Sequence, residues 1–138
     1  LAAGFAAAAS GAVADLGAEA GRLAGLRRML VAGLARLPDV QVVGADDVSP
    51  AICSATFRGC RAEDLLLLLD AAGIDCSTGS ACSAGVHRPS SVLLAMGRSE
   101  SDAAATLRFS FGPGTGQDAV AALLAALPDA LARARAAA

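Results

Sequence analysis

Leucines at helical spacing constrain the start of this chain more than any other feature of its sequence. They recur three, four and seven residues apart, so they share one face of a helix. The leucines concerned are Leu16, Leu23, Leu26, Leu30, Leu34 and Leu37. Glycines within the segment lower helix propensity, and a break is expected near residues 10–15. Pro38 ends the segment, and residues 1–37 are predicted to form a leading helical segment.

The remaining residues, 38–138, mix strand and helix signals. Short β-branched or alternating runs predict strands at 40–43, 52–57 and 106–111. Apolar runs with capping residues predict helices at 61–72 (ended by Gly73), at 89–96 (with Pro89 in the first turn and Gly97 after it) and from Thr115 to about residue 135 (with Pro128 as a candidate kink). Ser99 or Ser101 is expected to cap a further short helix. This order predicts an α/β fold of the two-layer α+β kind, a small sheet covered by helices.

Charge and hydropathy exclude several classes of partner. A net charge of −2 and a pI near 5.2 give no basic surface for nucleic acid. The charge-free run at residues 1–14 is too short to span a bilayer and lacks the basic region of a secretory signal. We therefore expect no nucleic-acid partner, no membrane span and a cytoplasmic location.

The four cysteines do not have the spacing of a metal site. Cys53, Cys60, Cys76 and Cys82 include no C-x-x-C pair, and His87 is the single histidine, so no metal is expected. Cys53 is predicted to lie in the core and Cys60 at the turn before a helix. Cys76 ends a short extended piece at 74–76. Packing in the core is its preferred interpretation, and a disulfide with Cys82 stays open.

Residues 77–88 form a segment of small and polar residues that is predicted to be a loop. Cys82 lies within it among hydroxyl groups, and such surroundings favour exposure and reactivity of a thiol. Arg88 and His87 would stabilise a thiolate if the loop folds back. The alternative interpretation is a small residue that fills a turn, and the residues alone leave both open.

Arg108 is a second candidate functional residue because it interrupts an otherwise apolar strand. Strand alternation places it on the same face as Ser110 and opposite Phe109. A strand arginine can point to solvent, pair with a structural acid or offer its planar guanidinium to a ligand carboxylate. These alternatives remain open at this stage.

Three motifs in this order resemble the NifS/IscS-type cysteine desulfurases of the class V aminotransferase superfamily. They are GIDCSTGSACS at 73–83, PSSVLLAMG at 89–97 and LRFSFG at 107–112, with Thr115 opening the last helix. The resemblance implies the small domain of a fold-type I transferase, with a mostly antiparallel sheet at 38–138 and a cysteine loop at 77–88. It also implies conversion of L-cysteine to L-alanine, with Cys82 as nucleophile and persulfide carrier and Arg108 as ligand of the substrate carboxylate.

The same resemblance implies pyridoxal 5'-phosphate as cofactor, a homodimer, and a sulfur-acceptor or iron–sulfur scaffold protein as partner. The serine-rich loop is more similar to the long-loop branch of the family, which favours direct transfer to such a protein. All eleven basic residues are arginine, so the lysine that would hold the cofactor is absent. We therefore expect a fragment whose cofactor belongs to a separate large domain, and which is inactive alone. Alternatives are a selenocysteine lyase, another class V enzyme, or a free-standing thiol carrier or interaction module.

Overall fold

The computed structural model describes residues 1–45, 48–78 and 89–138 of the 138-residue chain. Its elements are α1 (Ala2–Leu34), β1 (Val40–Val43), β2 (Ile52–Phe57), α2 (Ala62–Asp70), α3 (Ser91–Ala95), α4 (Glu100–Ala104), β3 (Thr106–Ser110) and α5 (Gln117–Ala136). The strands form an antiparallel sheet in the order β1-β2-β3. The predicted α/β class, with a small antiparallel sheet covered by helices, is confirmed.

One face of the sheet forms the core with α1, α2 and α5. Alternation along β2 points Cys53, Ala55 and Phe57 to this face, and all are buried. The ring of Phe57 meets that of Phe109 from β3 edge to face, with centroids 6.3 Å apart. Such a pair contributes about 0.5–1.5 kcal/mol beyond the area it buries. Because the core occupies this face, the polar residues of the strands lie on the other one.

The first helix differs from its prediction in two ways. It continues without a break through residues 10–15, because the surrounding alanines lose little entropy in a helix and outweigh the glycines. Leu23, Leu26, Leu30 and Leu34 are buried as expected, but Leu16 is 66% exposed. The apolar pattern therefore continues beyond the part of the helix that packs on the sheet.

Helix α1 also packs closely against α5. A Cβ atom added at Gly33 would overlap the side chain of Leu124, whereas one added at Gly21 would meet nothing within 4 Å. Gly33 is thus the position at which the two helices approach each other. Helix α5 continues through Pro128.

The boundaries of the short helices correct one prediction and decide between two alternatives. Pro89 precedes α3 and does not lie in its first turn, because Ser90 is the N-cap and its Oγ accepts a hydrogen bond from the Leu93 amide at 3.5 Å. Ser99, not Ser101, caps α4 by accepting from the Asp102 amide at 3.1 Å.

Thr115 does not open the last helix, contrary to its prediction. Helix α5 begins at Gln117 with Gly116 as N-cap and no side-chain cap. The Thr115 hydroxyl instead accepts from the Gly112 amide at 2.9 Å, and Arg22 of α1 donates to the carbonyl oxygens of Gly112 and Thr115 at 2.8 and 2.5 Å. The turn after β3 is therefore stabilised by a hydrogen bond within it and by hydrogen bonds from α1.

Candidate active site

The sheet face opposite the core carries the candidate site. In the register of β2 and β3, Ser54 lies opposite Arg108 and Thr56 lies opposite Thr106. Paired residues of an antiparallel sheet project from the same face, so these four side chains are neighbours. The predicted orientation of Arg108, away from the buried Phe109, is confirmed.

Arg108 has a serine neighbour on each side across the sheet. Ser77 forms an antiparallel bridge with it, through a bond from the Ser77 amide at 3.0 Å and one from the Arg108 amide at 2.7 Å. The Arg108 Nη2 atom also donates to the Ser77 Oγ at 3.4 Å. Ser54, Arg108 and Ser77 form a row across three neighbouring backbone segments, which we call the serine–arginine row.

This row opens into a cleft of about 200 Å³. Its lining is hydroxyl-rich on the sheet side and apolar on the α3 side, and consists of Ser54, Thr78, Ser90, Val92, Leu93, Thr106 and Arg108. A partly buried guanidinium beside hydroxyl groups in a cleft of this size suits a small carboxylate ligand. The geometry thus favours a ligand-binding interpretation of Arg108 over a solvent-facing one.

The wall of the cleft is fixed by a buried pair of hydroxyl groups. The Thr56 and Thr106 Oγ1 atoms lie 2.8 Å apart, and Thr106 donates to the Asp102 carbonyl oxygen at 2.7 Å. Since Thr106 has one hydroxyl proton, Thr56 must be the donor to Thr106. The sequence pattern predicted neither the Thr56–Thr106 pair nor the positions of Ser54 and Ser90 in the cleft lining. The alternation of Ser54 with core residues along β2 was the one sequence signal that could have indicated the position of Ser54.

The three described cysteines are not prepared for nucleophilic chemistry. Cys53 is 1% exposed and Cys60 is 8% exposed, and burial raises the pKa of both thiols. Burial, followed by the nearby carboxylates of Asp75 and Asp70, raises the pKa of Cys76 to about 11. The predictions of a core position for Cys53, a turn for Cys60 and packing against the core for Cys76 agree with the structure.

Cys82, His87 and Arg88 lie outside the described residues, so the structure does not place them, nor a disulfide between Cys76 and Cys82. The two chain ends that flank residues 79–88 are described. Thr78 on one side and Ser90 on the other both line the cleft of Arg108. The described residues on the two sides of the segment that contains Cys82 therefore meet at the same cleft.

The described parts of the chain contain neither a cluster of metal ligands nor a long apolar helix. Residues 1–45, 48–78 and 89–138 hold no group of three or more side chains that could bind a metal ion together. Over the same ranges, none of the helices combines the length and the apolar character needed to cross a membrane.

Fold and cleft together define a small α/β domain with a partly buried arginine in a small, hydroxyl-lined cleft. The sequence of residues 2–123 matches the family model described as aminotransferase class-V. The chain therefore belongs to the class-V aminotransferase family.

Several relatives within this family carry cysteine desulfurase names. The chain is 51% identical over 138 residues to an IscS-like cysteine desulfurase of Mycobacterium tuberculosis, covering 98% of this chain and 35% of the relative. It is 39% identical over 111 residues to the cysteine desulfurase IscS of Clostridium botulinum, covering 78% of this chain and 28% of the relative. The chain thus spans about a third of the length of the curated relatives that it matches.

Solved structures agree with this assignment. A structure described as a NifS-like protein superimposes with a TM-score of 0.76 at 27% identity, covering 88% of this chain and 30% of the other. A NifS-like protein from Rickettsia africae gives a TM-score of 0.68 over 79% of this chain and 28% of the other, and at 23% identity supports the fold alone.

Proposed function

We propose that this chain is the cysteine-bearing small domain of a cysteine desulfurase, which converts L-cysteine to L-alanine and leaves the sulfur on Cys82 as a persulfide. The observation that carries the proposal is the convergence on one cleft of Arg108 and both ends of the segment that contains Cys82. The names of the relatives support the same reaction. Because the chain spans about a third of those relatives, the activity is proposed for the whole protein.

Arg108 is proposed to bind the substrate carboxylate. A guanidinium presents parallel N–H groups that match the two oxygens of a carboxylate. The Arg108 backbone exchanges both of its hydrogen bonds with Ser77 on one edge, and Arg108 lies opposite Ser54 of β2 on the other. This support fixes the position of the carboxylate site relative to the chain that leads to Cys82.

Cys82 is proposed to be the nucleophile. It follows Thr78 by four residues, and a fully extended chain of that length spans about 14 Å at most. Its thiolate sulfur would attack the substrate sulfur; a sulfur–sulfur bond forms and the substrate carbon–sulfur bond breaks. The electron pair of the broken bond stays with the carbon fragment, which becomes alanine after protonation.

The residues of this chain do not supply the attachment site of pyridoxal 5'-phosphate, because the chain contains no lysine. The cofactor is therefore proposed to be bound by a large domain outside this chain, which residues 1–37 would join to the small domain at 38–138. The exposed first half of α1 is compatible with such a junction. We further propose that the whole protein is a cytoplasmic homodimer that transfers its sulfur to an acceptor such as an iron–sulfur scaffold protein.

Replacing Cys82 by serine in the full-length protein tests this function. We expect Cys82→Ser to abolish persulfide formation from L-cysteine, measured by mass spectrometry, and to leave the absorbance of the bound cofactor unchanged. Cys76→Ser is the matched control and should retain the persulfide, because its thiol has a pKa of about 11. Persulfide that still forms on the Cys82→Ser protein would remove Cys82 from this role. Alanine release by this chain alone would contradict the division between two domains.

A further inference from the structure

Ser54 lies directly beside Arg108 in the cleft, and we propose that its hydroxyl donates a further hydrogen bond to the carboxylate that Arg108 binds. Ser54 would thus be a second substrate-binding residue that contributes to selection of α-amino acids. This inference rests on the proposed function, since it assumes that Arg108 binds a carboxylate.

The register of the sheet brings the two side chains together. Ser54 and Arg108 are Cα partners in the antiparallel pairing of β2 with β3. Directly opposite residues on one face have Cβ atoms about 4.5–5.5 Å apart. A hydroxyl at this separation lies within reach of an anion bound at the neighbouring guanidinium, and both residues line the same cleft.

Ser54 also has hydrogen-bonding capacity that its neighbours on the strand lack. The Thr56 hydroxyl donates to Thr106 and is fully buried. Ser54 is partly buried, and its hydroxyl makes no side-chain hydrogen bond to any residue within the described ranges. Its proton is therefore available for a ligand in the cleft.

A carboxylate can accept from both residues at once. Its two oxygens offer about four lone-pair sites, of which a bidentate arginine uses two. A hydroxyl donor beside the guanidinium can occupy a third. The apolar side of the cleft, formed by Val92 and Leu93 of α3, limits the space beside the carboxylate and favours a small ligand.

Steady-state kinetics of the full-length enzyme test the inference. Ser54→Ala is expected to raise the KM for L-cysteine about tenfold or more, because it removes one hydrogen bond to a charged group, and to change kcat little. Ser54→Thr keeps the hydroxyl and should restore most of the loss. Ser110→Ala is the matched control, because Ser110 is an exposed serine on the same sheet face that does not line this cleft.

A second measurement separates carboxylate binding from a general distortion of the cleft. The product L-alanine carries the carboxylate and cysteamine lacks it. Ser54→Ala should weaken inhibition by L-alanine about tenfold and leave inhibition by cysteamine unchanged. Equal weakening of both inhibitors, or an equal rise of KM in Ser110→Ala, would overturn the assignment of Ser54.

Arg108→Gln distinguishes failure of this inference from failure of the proposed function. If Arg108→Gln raises the KM for L-cysteine strongly and Ser54→Ala does not, the role of Ser54 is wrong and the function stands. If neither substitution changes the KM, the cleft does not bind the substrate carboxylate and both proposals fall.

Discussion

The buried hydroxyl pair beside the cleft predicts an asymmetry between two similar substitutions. Thr106 both accepts from Thr56 and donates to the Asp102 carbonyl oxygen, whereas Thr56 only donates. Valine has nearly the shape of threonine without the hydroxyl, so each substitution removes hydrogen bonds and creates little empty space. The two substitutions should therefore differ in the stability that they cost, because they differ in which hydrogen-bonding group is left without a partner.

The size of the asymmetry follows from burial. Thr106→Val leaves the fully buried Thr56 hydroxyl without its acceptor, which costs about 1–3 kcal/mol. The Asp102 carbonyl oxygen still accepts from the Ala105 amide at 3.3 Å. Thr56→Val leaves the Thr106 proton satisfied by Asp102 and should cost only about 0.5–1.5 kcal/mol.

Urea unfolding of the 138-residue chain, followed by circular dichroism, measures these costs. The double variant Thr56→Val/Thr106→Val has no orphaned hydroxyl, so it should be less destabilised than the sum of the single variants, by about 1 kcal/mol. Equal costs for the two single variants, or strict additivity in the double variant, would refute the assigned direction of the hydrogen bonds.

Three further predictions concern a thiol, two glycines and an ion pair. Cys76 should react slowly with iodoacetamide at pH 8, because only about one thousandth of its thiol is ionised there. The reaction rate should rise about tenfold per pH unit towards the pKa of about 11, which peptide mass spectrometry can measure. Gly21→Ala should raise the free energy of unfolding by up to about 1 kcal/mol, because alanine has the higher helix propensity and the added Cβ meets nothing. Gly33→Ala should raise it less, because the added Cβ would overlap Leu124 of α5. Thermal unfolding of the two variants can compare these effects. The hydrogen bonds from Arg58 hold the pKa of Asp102 below its usual range. The stability that they contribute is therefore present above the ordinary aspartate pKa and is lost as pH falls through the lowered pKa. In acid titrations of stability, the Arg58→Met variant should not show this decrease.

Local pattern predicted the strands well because their side chains alternate between core and surface. The facing of Arg108 and Phe109 follows from that alternation, and so does the buried position of Cys53. Local propensity failed for the break in α1, because the effect of single glycines depends on the alanines around them. It also failed for Thr115, which was predicted to open the last helix. Its hydroxyl accepts from the Gly112 amide in the preceding turn and not from an amide at the start of the helix.

The sequence by itself determined the motifs around Cys82, the arginine within an apolar strand and the absence of a lysine, because these are properties of residue type and order. Only the tertiary structure decided that Ser54 and Ser77 flank Arg108 and that Thr78 and Ser90 meet in its cleft. Strand register is set by the packing of one whole face against the helices, and a shift by one residue would reverse every side chain. The neighbours of a site residue therefore depend on the core on the opposite face of the sheet, which no local segment encodes.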